Sequence, residues 1–301
     1  MTAPNINISY VDQNGRPTIE FMKLLQDQQA RIEALEGGGG DMKIAQAERE
    51  ILGTYGQKVS VAEKRKSLLK FGKNESVGTS YQTVWANGGN ESYVTTDAID
   101  TVSSSNAGDA VTMKIEGHTV SGTGADAQYT SVIQTVVSNG QTKVVLGTPL
   151  ARVSRAYIDS STPLAGDFYV YEDTAISGGV PSDSTKVHLK IDGSLGETQS
   201  FKCATTVSNT DYGIITGGYA SISKKTSASV DFVIEKRQPG GVFRPAGGRV
   251  TLNSVGLSAM EIKFDPYLIL PKNSDIRVRA ISTAANTAVD ASIQMYLAIV
   301  I

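Results

Sequence analysis

The chain has 301 residues, with 28 Lys plus Arg against 30 Asp plus Glu, which gives a net charge of −2. This near-neutral balance gives no electrostatic case for broad binding to nucleic acid or to a membrane surface. The one cysteine, Cys203, excludes an internal disulfide and a cysteine-based zinc cluster, and two histidines leave little material for histidine-based catalysis. We also expect no signal peptide, no transmembrane helix and no cofactor.

The first residues predict an arm that orders on a partner. Ile6, Ile8 and Tyr10 occupy alternate positions and Val11 follows them, so one face of an extended segment would be apolar. The segment is too short to form its own sheet. We interpret it as a docking arm, and a disordered tail is the alternative.

Residues 17–36 have the clearest helical pattern in the chain. Apolar residues recur at spacings of 4, 3, 4 and 3, with one polar member, which is a heptad seam typical of a coiled coil. The seam consists of Phe21, Leu25, Gln28, Ile32 and Leu35. A hinge of four glycines follows it, namely Gly37, Gly38, Gly39 and Gly40. We expect the seam to meet copies of itself or a partner, and packing against the rest of the chain is the alternative.

Residues 41–100 are predicted to form a helical segment and a linker. Asp41–Leu52 and Val61–Phe71 both have apolar residues that suit short helices. The second of these stretches and the residues after it are rich in lysine and arginine. We interpret these basic residues as a solvated or subunit-facing helix surface.

From about Val77 onward the sequence predicts strands and turns. Val230, Phe232 and Ile234 alternate with more polar residues, and the same period of two recurs in about a dozen short runs. The fold class is therefore mainly β, an antiparallel sandwich or jelly-roll-like body preceded by an N-terminal arm and short helices. We place a docking segment at residues 1–40 and the body at residues 101–301, with two subdomains meeting near residues 192–198 as an open alternative.

The search for catalytic chemistry gives no candidate site. His118 and His188 are interpreted as solvent-facing, and Cys203 as a buried inert thiol. Trp85 is interpreted as a core or interface residue, although an exposed tryptophan could stack on a sugar. Glycan cleavage would need two facing carboxylates, which no spacing in the sequence establishes. We predict no catalytic, metal or cofactor residues, and no enzyme activity.

The start of the chain resembles the N-terminal segments of structural proteins from tailed-bacteriophage virions. The resemblance rests on Val11-Asp-Gln-Asn-Gly-Arg-Pro-Thr18 and on Arg31-Ile-Glu-Ala-Leu-Glu36. More loosely, Phe168-Tyr-Val-Tyr-Glu-Asp173 and Phe264-Asp-Pro-Tyr-Leu-Ile-Leu-Pro-Lys272 are similar to strings in structural proteins of phages of aquatic bacteria. The resemblance implies a virion protein assembled in the host bacterial cytoplasm and attached through its N-terminus.

The function that follows as an expectation is a trimeric fibre, spike or adaptor. Its partners would be two further copies of itself and other virion proteins, and a host surface glycan stays an open possibility. Two alternatives remain at this point. One is a head-decoration or capsid-vertex protein, and the other is a carbohydrate-binding receptor domain with an exposed aromatic patch near Trp85 or Tyr93.

Overall fold

The computed structural model describes residues 61–223 and 227–300. These residues are mainly β, and they form several antiparallel sheets, as predicted. Three short 3-10 helices interrupt the strands at Gly124–Asp126, Ser184–Lys186 and Gly193–Leu195. The strands of the described part are β1 (Val61–Val77), β2 (Gln82–Thr83), β3 (Ile99–Ser104), β4 (Thr112–Ser121), β5 (Gln128–Val137), β6 (Val144–Leu150), β7 (Arg152–Ile158), β8 (Phe168–Glu172), β9 (Ile176–Ser177), β10 (Val180–Pro181), β11 (Val187–Ile191), β12 (Ala204–Thr206), β13 (Asp211–Ser223), β14 (Ser229–Arg237), β15 (Arg244–Asn253), β16 (Ala259–Leu270), β17 (Asp275–Ser282) and β18 (Thr287–Val300).

Strands from the two ends of the described chain form a jelly roll. One sheet has the order β1-β18-β13-β16, and the other has the order β12-β17-β14-β15, with β2 also paired to β17. Numbered one to eight along the chain, these eight main strands read 1-8-3-6 and 2-7-4-5, which is the connectivity of two interleaved Greek keys. The prediction of an antiparallel sandwich of the jelly-roll kind is therefore confirmed.

The period of two in the sequence explains how the jelly roll buries its core. Val230, Phe232 and Ile234 on β14 all point inward, and each is at most 8 % exposed. Their neighbours on the same strand are more exposed, with the exception of Val233. Full burial of one such side chain contributes about 1.5–3 kcal/mol. The alternation thus specifies which face of each strand meets the opposite sheet.

A second sandwich, which we call the inserted sandwich, is placed in the chain between β2 and β12. Its sheets have the orders β11-β8-β3-β6 and β5-β4-β7. Its own apolar core includes Met113, Ile115 and Leu189, and no residue belongs to both this core and that of the jelly roll. Where the edge strands β5 and β6 lie side by side, the Gln134 amide donates to the carbonyl of Thr148 at 2.8 Å and accepts from its N–H at 3.0 Å. The Gln134 side chain therefore takes the place of backbone hydrogen bonds between the edge strands β5 and β6.

The predicted helix at Val61–Phe71 is wrong, because this segment lies within strand β1. Leu68 packs against the jelly-roll core. Further along the strand, a side chain on Gly72 would place its Cβ 2.2 Å from the carbonyl oxygen of Val84, so the backbones approach closely there. Tertiary pairing overrides the local helical preference. The domain boundaries given above stay predictions.

Candidate functional site

The densest group of buried charges lies where the two sandwiches meet, a region that we call the junction. Strands β4, β5, β7 and β11 of the inserted sandwich contribute to it, as do β1, β12, β14 and β17 of the jelly roll. Buried charges are costly unless they are paired, so their presence in number calls for a physical account.

Asp275 at the start of β17 is the centre of the junction, and its side chain is 2 % exposed. Arg152 of β7 donates to it from Nε at 2.9 Å and from Nη2 at 3.1 Å. A bidentate ion pair therefore connects the inserted sandwich to the jelly roll. Arg237 and Thr206 donate to the same carboxylate at 2.9 and 2.7 Å. Burial by itself would raise the pKa of Asp275, but the two guanidinium groups and these hydrogen bonds hold it below its usual value.

The remaining donors of Arg152 are also satisfied. Its Nη1 donates to the carbonyl oxygens of Val94 at 2.5 Å and Ala151 at 2.7 Å, and its Nη2 donates to the Tyr129 hydroxyl at 2.6 Å. Burial of an arginine costs little free energy only when the N–H donors of its guanidinium group are hydrogen-bonded in this way. The residue is therefore fixed from both sandwiches.

Aromatic rings extend the junction by stacking with the arginines. Tyr93 has the guanidinium carbon of Arg237 at 4.4 Å and that of Arg152 at 5.1 Å from its ring centre. Phe243 lies 5.0 Å from the Tyr93 ring, and Arg277 lies 3.8 Å from Phe243. Rings alternating with cations contribute about 0.5–2 kcal/mol per pair. Tyr93 is thus engaged within the protein.

Two lysines of the jelly roll, Lys70 and Lys202, donate to main-chain oxygens of the inserted sandwich. Lys202 donates to the carbonyls of Val153 at 2.7 Å and His188 at 2.9 Å, and Lys70 donates to that of Ser154. Burial, together with the nearby charge of Lys202, lowers the pKa of Lys70 to about 7. The two lysines thus bind the consecutive carbonyl oxygens of Val153 and Ser154 on β7, and so connect this strand to the jelly roll.

The interpretation of the basic residues as a solvated or subunit-facing helix surface is wrong for Lys70 and Lys73, and the interpretation of the two histidines as solvent-facing is wrong for both. Lys70 and Lys73 are 4 % and 9 % exposed, and His118 and His188 are 6 % and 2 % exposed. The reason is that the sequence pattern describes one sheet, while these strands are covered on their second face by the other sandwich. Burial lowers the pKa of His118 to about 4, whereas Glu172, 3.0 Å away, partly offsets the lowering at His188.

Two cavities among the described residues are both small. A cavity of about 70 Å³ at the junction is lined by His118, Glu116 and Asp211, among others. Ligand pockets usually have about 300 Å³ or more. Glu116 faces Arg155 at 3.8 Å, and Asp211 accepts a hydrogen bond from Ser208 at 2.5 Å. A second cavity of about 100 Å³ in the jelly roll is mostly apolar. Neither cavity has the size of a glycan-cleaving site.

Trp85 and Cys203, the other two residues that the sequence analysis considered, are both buried. Trp85 is 2 % exposed and its indole donates to the carbonyl of Gly89 at 3.2 Å, which confirms its interpretation as a core residue. Cys203 is buried as predicted, and burial raises the pKa of its thiol to about 12. Between residues 61 and 300, leaving out 224–226, no cluster of three His, Cys, Asp or Glu could hold a metal. No helix in that same part is long and apolar enough to cross a membrane.

The sites that the sequence placed in the N-terminal segment lie outside the described residues. This applies to the docking arm, the heptad seam and the glycine hinge. The junction was missed by the sequence because Arg152 and Asp275 are 123 positions apart, and nothing in either local pattern marks them as partners. A charged residue inside an apolar strand run, such as Lys70, was the one available signal.

Comparisons with known proteins give no close relative. No protein-family model matches the chain, and no curated protein matches it. Among solved structures, the infectious bursal disease virus VP2 subviral particle aligns at 12 % identity with a TM-score of 0.21, over 84 % of this chain and 77 % of that one. The structure of the Gx strain of the same virus aligns at 11 % identity with a TM-score of 0.22, over the same shares. Scores this low do not establish a shared fold.

Proposed function

We propose that the chain is a structural component of a tailed-phage virion, a trimeric fibre, spike or adaptor that docks through its N-terminal segment. The observation that carries the proposal is a complete jelly roll into which a second sandwich is inserted and fixed by buried charges. Such a body maintains a fixed shape. The charged groups that could otherwise take part in catalysis are engaged in the ion pairs and hydrogen bonds that maintain this shape. The resemblance of the first 36 residues to virion proteins adds the attachment role.

Jelly rolls also occur in lectins and in cupins, so the fold alone does not decide the function. A lectin needs an accessible binding face, whereas Trp85 is buried and Tyr93 is stacked on arginines. A metal-dependent cupin needs a cluster of metal ligands, and the described residues have none. The burial of Trp85 and the stacking of Tyr93 favour a structural role over binding of a host glycan.

The trimer is tested by the mass of the full chain in solution, measured by light scattering or native mass spectrometry. We expect three times 31.9 kDa for the full chain. The double variant Leu25→Asp/Ile32→Asp is expected to be a monomer, because it places charges on the heptad seam. The matched control Lys23→Asp changes charge off the seam and should remain a trimer. A trimer in both variants would move assembly into the jelly roll and contradict the seam.

A head-decoration or capsid-vertex protein is the second candidate, and the jelly-roll connectivity favours it. A decoration subunit that orders only on its particle would be a monomer in solution at every concentration tested. The measurement is the same, so a monomeric full chain would replace the first proposal with this one. Binding of the full chain to a panel of bacterial surface glycans would reopen the receptor alternative.

A further inference from the structure

The junction joins two bodies that have separate apolar cores. Within the described residues, the jelly-roll core and the core of the inserted sandwich share no member. The contacts across the junction include ion pairs, hydrogen bonds and cation–ring contacts, together with the ring contact between Tyr93 and Phe243. Water solvates charged groups well, so separating the two bodies would cost less than opening either core.

His118 is the weak member of the junction. Its side chain is 6 % exposed, and its Nδ1 atom has no hydrogen-bond partner among residues 61–223 and 227–300. A neutral imidazole tolerates this position at moderate cost, but an imidazolium would need an anion close by.

The charged groups that face His118 come from every element packed around it. The carboxylates among them are already engaged: Asp275 by two arginines, Asp211 by Ser208 and Thr210, and Glu116 by Arg155. The cations add repulsion. Within the described part of the chain, the facing groups are Glu116 on β4, Lys66 and Lys70 on β1, Arg152 on β7, Asp211 on β13 and Asp275 on β17.

We propose that the junction is an acid-operated joint, in which protonation of His118 loosens the contacts and lets the inserted sandwich move as a folded body relative to the jelly roll. The proposal is independent of the virion role, since it concerns only residues within the described chain. It requires that the two sandwiches stay folded when the joint opens.

The direction of the pH effect follows from proton binding. His118 has a pKa of about 4 in the closed junction, against an ordinary value of 6.5 when solvated. The open form therefore binds more protons than the closed form between these values. The contribution of His118 to the stability of the closed junction is fully present above pH 6.5 and is lost as the pH falls toward 4.

His188 provides an internal contrast. It lies on β11 of the same sandwich and is equally buried, but its Nε2 atom is 3.0 Å from the carboxylate of Glu172. A proton on this ring would have an anion in place. Lys202 and Glu91, which also face it, are paired with each other. His188 is thus the matched control for His118.

Trp85 reports on the joint because it is the single tryptophan of the chain, and the ammonium of Lys202 lies 5.8 Å from its ring. We would titrate the full chain from pH 7.5 to 3.5 and follow both tryptophan emission and far-UV circular dichroism. The expected result is a change in emission at a higher pH than any loss of circular dichroism. His118→Gln should move the emission midpoint down by about one pH unit, while His188→Gln should move it less, because Glu172 offsets part of the effect of burial there.

Two results would overturn the proposal. One is an emission change that always coincides with loss of circular dichroism, and the other is an unchanged midpoint in His118→Gln. Because that variant could fail to fold, small-angle scattering of the wild-type chain provides a second measurement. The radius of gyration should grow at the emission midpoint while circular dichroism is unchanged, and a constant radius until unfolding would contradict a joint.

Discussion

The two apolar cores and the junction between them are built by opposite means. Each core is made of aliphatic and aromatic side chains on alternate positions of neighbouring strands, as Val230, Phe232 and Ile234 show. The junction is made of charged groups, and the most buried of them, such as Asp275 at 2 % and Arg152 at 5 % exposed, are as deeply buried as the cores. Apolar burial is non-directional and tolerates exchange of shape, while buried ion pairs demand particular partners.

The cores and the junction therefore contribute differently to the folded structure. The cores supply most of the free energy of folding, because burial of apolar area is the dominant favourable term. The junction supplies one relative orientation of the two sandwiches, since Arg152 fits both Asp275 and the surrounding carbonyls only in that arrangement. The predictions below separate these two roles.

The largest expected effect is at Lys70, whose cation is buried at neutral pH. Its pKa is about 7 in the folded chain and 10.5 when solvated, so the unfolded state binds more protons between these values. Wild-type stability should therefore rise with pH from 7 to 10.5 relative to Lys70→Met, by about 5 kcal/mol in total. Denaturant unfolding at a series of pH values measures this difference. The same pH profile in both proteins would show that Lys70 is solvated.

Lys66→Met is the matched control for Lys70→Met. Lys66 lies on the same strand, but its side chain is exposed. Its substitution should shift the free energy of unfolding by less than about 0.5 kcal/mol at every pH. A large effect at Lys66 would mean that strand β1 responds to any loss of charge, not to the release of a buried one.

Asp275→Asn should cost about 3–5 kcal/mol, because it leaves Arg152 and Arg237 buried beside a neutral group. The side chain keeps its shape, so the loss reports charge and not packing. Denaturant unfolding at pH 7 measures the cost. A loss below about 1 kcal/mol would show that the junction is more solvated than its burial indicates.

Truncation in either core is expected to cost about 2–5 kcal/mol. Leu189→Ala opens a cavity in the inserted sandwich, and Leu252→Ala opens one in the jelly roll. At pH 7 the closed junction should make both sandwiches unfold together, so either variant should shift the single transition seen by Trp85 emission and by circular dichroism. If Leu189→Ala produced an earlier transition that Trp85 does not report, the junction would not couple the two bodies.

The cores were predictable from the sequence and the junction was not, for a physical reason. The alternation at Val230, Phe232 and Ile234 is a local property, so strands, faces and the sandwich class follow from it. The pairing of Arg152 with Asp275 depends on the arrangement of whole sandwiches, which no local pattern encodes. The mistaken helix at Val61–Phe71 has the same origin, since its apolar and basic residues are explained only by two covering sheets.

A small effect is also expected at a more exposed counterpart of Asp275. Asp231 on β14 accepts from Arg249 at 3.1 Å and from Thr251 at 2.6 Å on the neighbouring strand, and the Arg249 side chain is 60 % exposed. Asp231→Asn should cost less than about 1 kcal/mol, because water solvates both charges in either state. The cost should also vanish in 1 M salt, where the Debye length is about 3 Å. The cost of Asp275→Asn should persist at the same salt concentration, because salt ions do not enter the junction. Equal salt dependence at the two aspartates would show that the Asp275 cluster is open to ions, and the distinction between core-like burial and surface pairing would fail.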